Sequence, residues 1–271
     1  MRNEIDKLVK EKDYFSAEDD LRRIKMVQEL LAERFPFENL DVLLKVEDPI
    51  TPKFIVEKML LKGRGGLCYE LNALQHLLLK ELGFDVYLAT ATVSTETGWA
   101  TDRTHVMNLL WKEEKLYLID SGFGSNLPLQ PVELDGPPVH SPAGNFRLQT
   151  CETEKGSIVL QSENDKGWNT RYAFFPEKVG WEDLNRIKTE IHNSPKSSFN
   201  RELLIARMLP EATLSVNEER LQLKGIEGED QRIMFTTDDE MLRCIKIRFS
   251  ESIYQAAAHY VRMKKKGREN A

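Results

Sequence analysis

The hydrophobic period of this chain changes at Gly83, and that change limits the folds open to it. Before it, apolar residues recur at three- and four-residue spacing over residues 21–31 and again at Leu67, Leu71, Leu74, Leu78 and Leu82, the mark of helices with one buried face. Thr51 followed by Pro52 is a cap and first-turn signal for another helix running to about Leu61. Between them, Phe35-Pro36-Phe37-Glu38-Asn39-Leu40 is too interrupted by Pro and Asn to continue a helix. Past Gly83, a helix-ending glycine, residues 86–93 are β-rich, and residues 105–110 and 115–120 flank the polar Lys112-Glu113-Glu114 as a hairpin. Pro- and Gly-rich stretches from Pro128 to Gly144 and short strands to about Phe175 predict an antiparallel barrel or curved sheet. Apolar Leu203 to Ala206, strand-like residues 213–216 and 221–223, and a helix over residues 253–263 make the last part mixed.

At 271 residues, 41% hydrophobic and 30% charged, the chain has the composition of a soluble globular protein with a sizeable core. A net charge of -6 argues against nucleic acid as a partner. The basic run from Arg262 to Arg268 reads as a solvated helix end. No run approaches membrane-spanning length, and the first residues lack the apolar stretch of a signal peptide. Three cysteines (Cys68, Cys151 and Cys244) form neither a disulfide framework nor a metal-ligand spacing, so the expectation is no metal and a reducing, cytoplasmic setting. Cys151 and Cys244 both sit in strand-like contexts.

Cys68 is different. It follows Gly65 and Gly66 and lies in the first turn of the helix that ends at Gly83. Free N–H groups and the dipole at a helix start stabilise a thiolate, the nucleophilic form of cysteine. The glycines remove side-chain bulk and let the backbone turn sharply before the sulfur. A cysteine nucleophile needs a base, and the base an orienting partner. Of the five histidines, His76 lies two turns along the Cys68 helix and points away. His140 falls in a Pro-rich loop, His192 in a polar loop and His259 in the last helix. His105 faces a carboxylate across its hairpin. If Leu110 pairs with Lys115, His105 stands directly opposite Asp120; a two-residue shift keeps both on one face, and a one-residue slip separates them.

The string Arg64-Gly65-Gly66-Leu67-Cys68-Tyr69-Glu70-Leu71-Asn72 resembles the active-site signature of the arylamine N-acetyltransferases. Thr104-His105 and Ile119-Asp120-Ser121-Gly122-Phe123-Gly124 are similar to that family's histidine and aspartate motifs. Phe37-Glu38-Asn39-Leu40 and Ser194-Pro195-Lys196-Ser197-Ser198-Phe199 resemble two others, and the likeness weakens beyond about Arg207. Ser121 stands where the family often has Val or Ala, a departure that leaves the triad intact.

The resemblance implies an α+β fold in three parts around a papain-like Cys-His-Asp core. These are a helical bundle over residues 1–85 carrying the nucleophile, a β-barrel over 86–200 carrying His105 and Asp120, and an α/β lid over 201–271. It also implies two-step acetyl transfer from acetyl-coenzyme A, through acetyl-Cys68, to an arylamine or hydrazine. Phe123 and Phe37 are then candidates for the acceptor pocket, and Arg103, Thr104 and Gly124 for the cofactor. Arg64 and Glu38 are expected to form a buried pair that supports the Gly65-Gly66 loop. The Cys68 N–H is the first oxyanion donor to consider, with a second near Arg103. A transglutaminase-like or papain-like thiol hydrolase uses the same residue order, and a catalytically silent binding protein is a further alternative that the intact triad argues against.

Overall fold

The computed structural model describes residues 4, 5, 7, 8, 19–225 and 230–269. Helix α1 (Asp20–Arg34) is capped by Asp19, whose carboxylate accepts from Leu21 N–H. Strand β1 (Phe37–Glu38) and the single turn α2 (Leu40–Leu43) follow. Helix α3 (Pro52–Ile55), capped by Thr51, continues into a π-helical segment, Val56–Leu61. The expected helix is therefore present with its winding changed halfway. Helix α4 (Cys68–Glu81) carries the cysteine.

Strands β2 (Val86–Thr95), β3 (Gly98–Trp99), β4 (His105–Lys112), β5 (Lys115–Ile119), β6 (Val132–Glu133), β7 (Val139–Ser141), β8 (Gly144–Thr153), β9 (Gly156–Asn164) and β10 (Gly167–Phe174) form one antiparallel sheet. Its order is β6-β5-β4-β2-β10-β9-β8-β7, with β3 paired to β2. Beyond β6, Leu134 bridges Leu148 of β8, so the sheet curls almost into a barrel. Ala89, Met107, Leu118, Phe146, Leu160 and Tyr172 fill its interior. The alternate residues Val86, Leu88, Val106 and Leu110 pack outward with Leu71, Leu74 and Leu78 of α4. Strands β2 and β4 are thus buried on both faces, which is why the hairpin reads as a continuous apolar run rather than an alternation. Each leucine so buried contributes about 1.5–3 kcal/mol.

The hairpin register is not the directly opposed one. Lys112 pairs with Lys115 and Asn108 with Ile119, leaving a two-residue turn at Glu113 and Glu114. Both turn residues have positive φ, 52° and 62°, as in the tight hairpins usually built with Asn-Gly. This is the two-residue shift, so His105 and Asp120 share a face diagonally.

Helix α5 (Trp181–Asn193) was not expected, and it places His192 on a helix rather than in a loop. Its Leu184, Ile187 and Ile191 enter the core built by α1 and α4. A 3-10 turn, Ser198–Asn200, leads to strands β11 (Ile205–Leu209), β12 (Ala212–Val216), β13 (Arg220–Gly225) and β14 (Gln231–Met234). The order of this second sheet is β1-β11-β12-β13-β14, so Phe37 and Glu38 reach into it from far upstream. Helices α6 (Asp238–Arg248) and α7 (Glu251–Glu269) close the fold. Cys244 therefore lies on a helix, not a strand, and His140 on β7 rather than in a loop. Among the described residues no helix is long and apolar enough to cross a membrane.

Candidate active site

Cys68 begins α4, buried to 6% exposure, where helical N–H groups have no intrahelical carbonyl to bond. The two glycines before it answer to crowding. A Cβ on Gly65 would lie 1.8 Å from Pro36 O, and one on Gly66 would lie 2.5 Å from Glu70 Oε2. Neither has a left-handed backbone, so close approach, not a sharp turn, explains them. Glu70 reaches back to accept the Leu67 N–H at 3.0 Å, one half of a capping box.

A buried charge network holds this loop. Arg64 donates through Nε and Nη2 to Glu38 Oε1 at 2.9 and 2.7 Å, and Nη2 also meets Asp41 Oδ1 at 2.7 Å. The expected Arg64–Glu38 contact is present within this larger cluster. Lys58, in the π-helical segment and 5% exposed, lies 2.7 Å from Asp41 and 2.6 Å from Glu70. Burial alone would lower the Lys58 pKa, yet the charges of Glu70 and Asp41 outweigh it and raise it. Lys58 carries no sequence signal, since it is a lysine on an otherwise amphipathic helix.

The three catalytic candidates come together at the seam of α4 and the barrel. His105 Nε2 lies 2.7 Å from Asp120 Oδ2, and Cys68 is close enough to act on the imidazole. Cys68 Sγ also sits 3.5 Å from Thr104 O. Burial acts to lower the His105 pKa, but the Asp120 charge and hydrogen bond, with Cys68, raise it from 6.5 to about 10. Burial pushes the Asp120 pKa up; the imidazolium and its other donors overcome this and hold it below the ordinary value.

Asp120 is fully occupied. Oδ2 accepts from His105 and from Tyr172 Oη at 2.9 Å, and Oδ1 accepts from Asn72 Nδ2 at 2.9 Å and Gly122 N–H at 2.8 Å. Asn72 also donates to Val106 O and accepts the Ser121 N–H. Behind it, Asn108 donates to Asn72 O and Gln75 Oε1, so its own oxygen takes the His76 Nδ1–H at 3.1 Å. A Cβ on Gly122 would meet Asn72 Nδ2 at 2.5 Å and Cys68 Cα at 2.7 Å. Tyr172, far along the chain on β10, had no local signal to single it out.

Phe123 packs edge-on to His105 and to Tyr172, with ring centroids 5.1 and 5.2 Å away. Phe37 does not join that aromatic group. It is buried beside the Gly66 backbone and packs on Phe199 at 5.6 Å. Arg103 has a left-handed backbone, φ 55°, directly before Thr104. Its side chain is held by Thr90 Oγ1 at 3.1 Å and Glu177 at 2.9 Å. Gly124 lies in a turn with φ 63°. Among the described residues no group of three or more His, Cys, Asp or Glu side chains is placed to hold a metal ion.

A buried thiol, an imidazole on it and a carboxylate on the imidazole define a cysteine enzyme that works through a covalent intermediate. A protein-family profile described as N-acetyltransferase matches residues 20–256. The acetyltransferase YvcN of Bacillus subtilis, itself described as uncharacterized, is 39% identical over 224 residues, covering 82% of this chain and 87% of that one. Arylamine N-acetyltransferase C from Bacillus anthracis superposes with a TM-score of 0.84 at 29% identity, over 92% of this chain and 97% of that one. The NAT3 arylamine N-acetyltransferase from Bacillus cereus superposes with a TM-score of 0.82 at 32% identity, over 92% and 98%. That protein is described as having a unique Cys-His-Glu triad; here the carboxylate on the histidine is Asp120. This chain belongs to the arylamine N-acetyltransferase family, and it is an acetyltransferase using acetyl-coenzyme A.

Proposed function

We propose that this enzyme carries an acetyl group from acetyl-coenzyme A to an arylamine or hydrazine, with Cys68 as nucleophile, His105 as proton carrier and Asp120 as its orienting anion. The observation that carries the reading is His105 Nε2 lying 2.7 Å from a fully hydrogen-bonded Asp120, at the seam where Cys68 opens α4. With its pKa raised to about 10 by Asp120, the imidazole holds a proton at neutral pH.

The Cys68 thiolate attacks the thioester carbonyl, the new C–S bond forms, and the oxyanion is stabilised by backbone donors, the Cys68 N–H first among them. The intermediate collapses, coenzyme A leaves as its thiolate and takes the proton that His105 held, and acetyl-Cys68 remains beside a neutral imidazole. The amine nitrogen then attacks that thioester, its proton passes to His105, and the free Cys68 thiolate departs. Phe123 offers an aromatic wall for a flat acceptor. Phe37, Arg103, Thr104 and Gly124 remain proposals as binding residues, the last three for the cofactor. Arg64, Glu38, Gly65 and Gly66 support the loop. The division into residues 1–85, 86–200 and 201–271 and a cytoplasmic setting, which suits an unprotected thiol, belong to the same reading.

The test is acid quenching after mixing with acetyl-coenzyme A alone, followed by intact mass and peptide mapping. One acetyl group on Cys68, removed on adding an arylamine or hydrazine, supports the transferase. Coenzyme A release with no adduct and no acetylated amine points to water as acceptor, as in a thiol hydrolase.

A further inference from the structure

Helix α4 meets strands β2 and β4 mainly through leucines and valines, and apolar contacts alone would let it slide along them. Asn72 and Gln75 on α4 and Asn108 on β4 interrupt that seam, each fully buried. Cys68, Asn72 and Gln75 stand four and three residues apart, so they share one face of the helix. Gln75 Nε2 donates to Ser121 Oγ at 2.5 Å, while its Oε1 accepts from Asn108 at 3.1 Å. Ser121 departs from the family's usual Val or Ala, neither of which could take that bond. The Asp120–Ser121 peptide is held as well. Gln28 donates to its carbonyl at 3.3 Å, and Asn72 Oδ1 accepts its N–H at 3.0 Å.

Hydrogen bonds between buried polar groups are directional, so they fix a distance that apolar packing leaves free. Here the fixed distance runs from the helix carrying the thiol to the turn carrying the carboxylate. Gly122, the next residue along, shows how close the two elements are: a Cβ on it would lie 2.7 Å from Cys68 Cα. We infer that Gln75 and Ser121 are a pair of positioning residues for acetyl transfer, holding the Asp120 carboxylate against His105 and both against Cys68. They act through Asp120 and Asn72, not on the reacting atoms. This rests on the transferase reading above and adds to that same site.

The test uses Ser121→Ala, Gln75→Met and the double variant, with urea denaturation to verify folding. Should Gln75→Met not fold, Ser121→Ala, the loss of one oxygen, carries the test alone. Acylation of Cys68 by saturating acetyl-coenzyme A should slow about fivefold in Ser121→Ala, the worth of one neutral hydrogen bond, with its concentration dependence unchanged. The double variant should be no slower than either single one, because all three delete the same contact. His105 is read directly by NMR titration of histidine-labelled protein, its signal assigned with His105→Gln. An Asp120 free to shift supports the imidazolium less, so the His105 midpoint, about 10 in the native protein, should fall by about half a pH unit or more. Cys68 and Tyr172 also face His105 and are unchanged in these variants. Slower acylation with an unmoved His105 midpoint would make the pair merely structural and overturn the inference. Native rate and midpoint, or additive losses in the double variant, would overturn it too. So would a native saturated rate reached only with more acetyl-coenzyme A, which would place the effect on cofactor binding. The titration needs no acyl donor. A native protein that never acetylates Cys68 would therefore refute the transferase reading, while a lowered midpoint would still support Gln75 and Ser121 as setting Asp120 against His105.

Discussion

Replacing Asp120 with Asn tests the electrostatic core of the site while changing its shape little. The carboxylate accepts four hydrogen bonds, two at each oxygen. The Asn carbonyl oxygen can take the Oδ1 place and keep the Asn72 and Gly122 donors. Its NH2 group then faces His105 Nε2 and Tyr172 Oη, where acceptors are now required. His105 must turn Nε2 into an acceptor, which puts its single proton on Nδ1, toward the thiol whose proton it should receive. The magnitude follows from the raised imidazole pKa. A rise from 6.5 to about 10 is worth about 5 kcal/mol at 1.36 kcal/mol per unit. Cys68 supplies part of the rise and burial offsets part of it, so the figure sets only the scale, and an acylation rate lower by about a thousandfold is the expectation, near 4 kcal/mol. Rapid mixing with acetyl-coenzyme A, acid quench and mass analysis measure the rate; circular dichroism verifies the fold. Folded Asp120→Asn protein acylating within fivefold of the native rate would refute the argument that a charged partner sustains the imidazolium.

Three other predictions follow from the same contacts. Tyr172→Phe removes one donor from Asp120 Oδ2 and should slow acylation by about tenfold, as for a hydrogen bond to a charged group; an unchanged rate in stopped-flow assays would remove Tyr172 from the site's support. Lys58→Met leaves Glu70 and Asp41 buried without their shared cation and should cost about 3–5 kcal/mol in urea unfolding, partly recovered by adding Glu70→Gln; a midpoint equal to the native one would contradict it. Because its folded pKa is raised, His105 contributes stability that is fully present below about 6.5 and lost as pH rises through about 10. Asp120, with its pKa lowered, contributes stability present above its ordinary value and lost as pH falls through its folded value. Denaturation midpoints measured across pH should show an alkaline loss that shrinks in Asp120→Asn, and identical alkaline limbs would exclude a charged His105.

Local information carried the elements whose signal is local. The three-and-four spacing around Leu71, Leu74 and Leu78, the Thr51-Pro52 cap and the apolar strands after Gly83 are set by neighbours a few residues away. The Cys68 motif was legible because helix start, glycines and thiol are contiguous. Parity put His105 and Asp120 on a shared face in two of three registers, without choosing among the three. The tight turn at Glu113 and Glu114 decided that, at residues with none of the usual turn chemistry. The three-and-four spacing of Leu184, Ile187 and Ile191 in α5 was a local signal open to reading, whereas the α6 context of Cys244 has a thin apolar stripe that acquires meaning only against a partner surface. Tyr172, Asn72 and Lys58 matter through contacts to groups distant in sequence or on another turn of the chain. The sequence by itself determined which chemistry is present: one thiol at a helix start, one imidazole, one carboxylate. Tertiary structure alone decided that Asp120 is fully bonded and that Lys58 is buried between two acids. Covalent order sets identity and local propensity, whereas desolvation and charge pairing exist only once distant strands and helices meet.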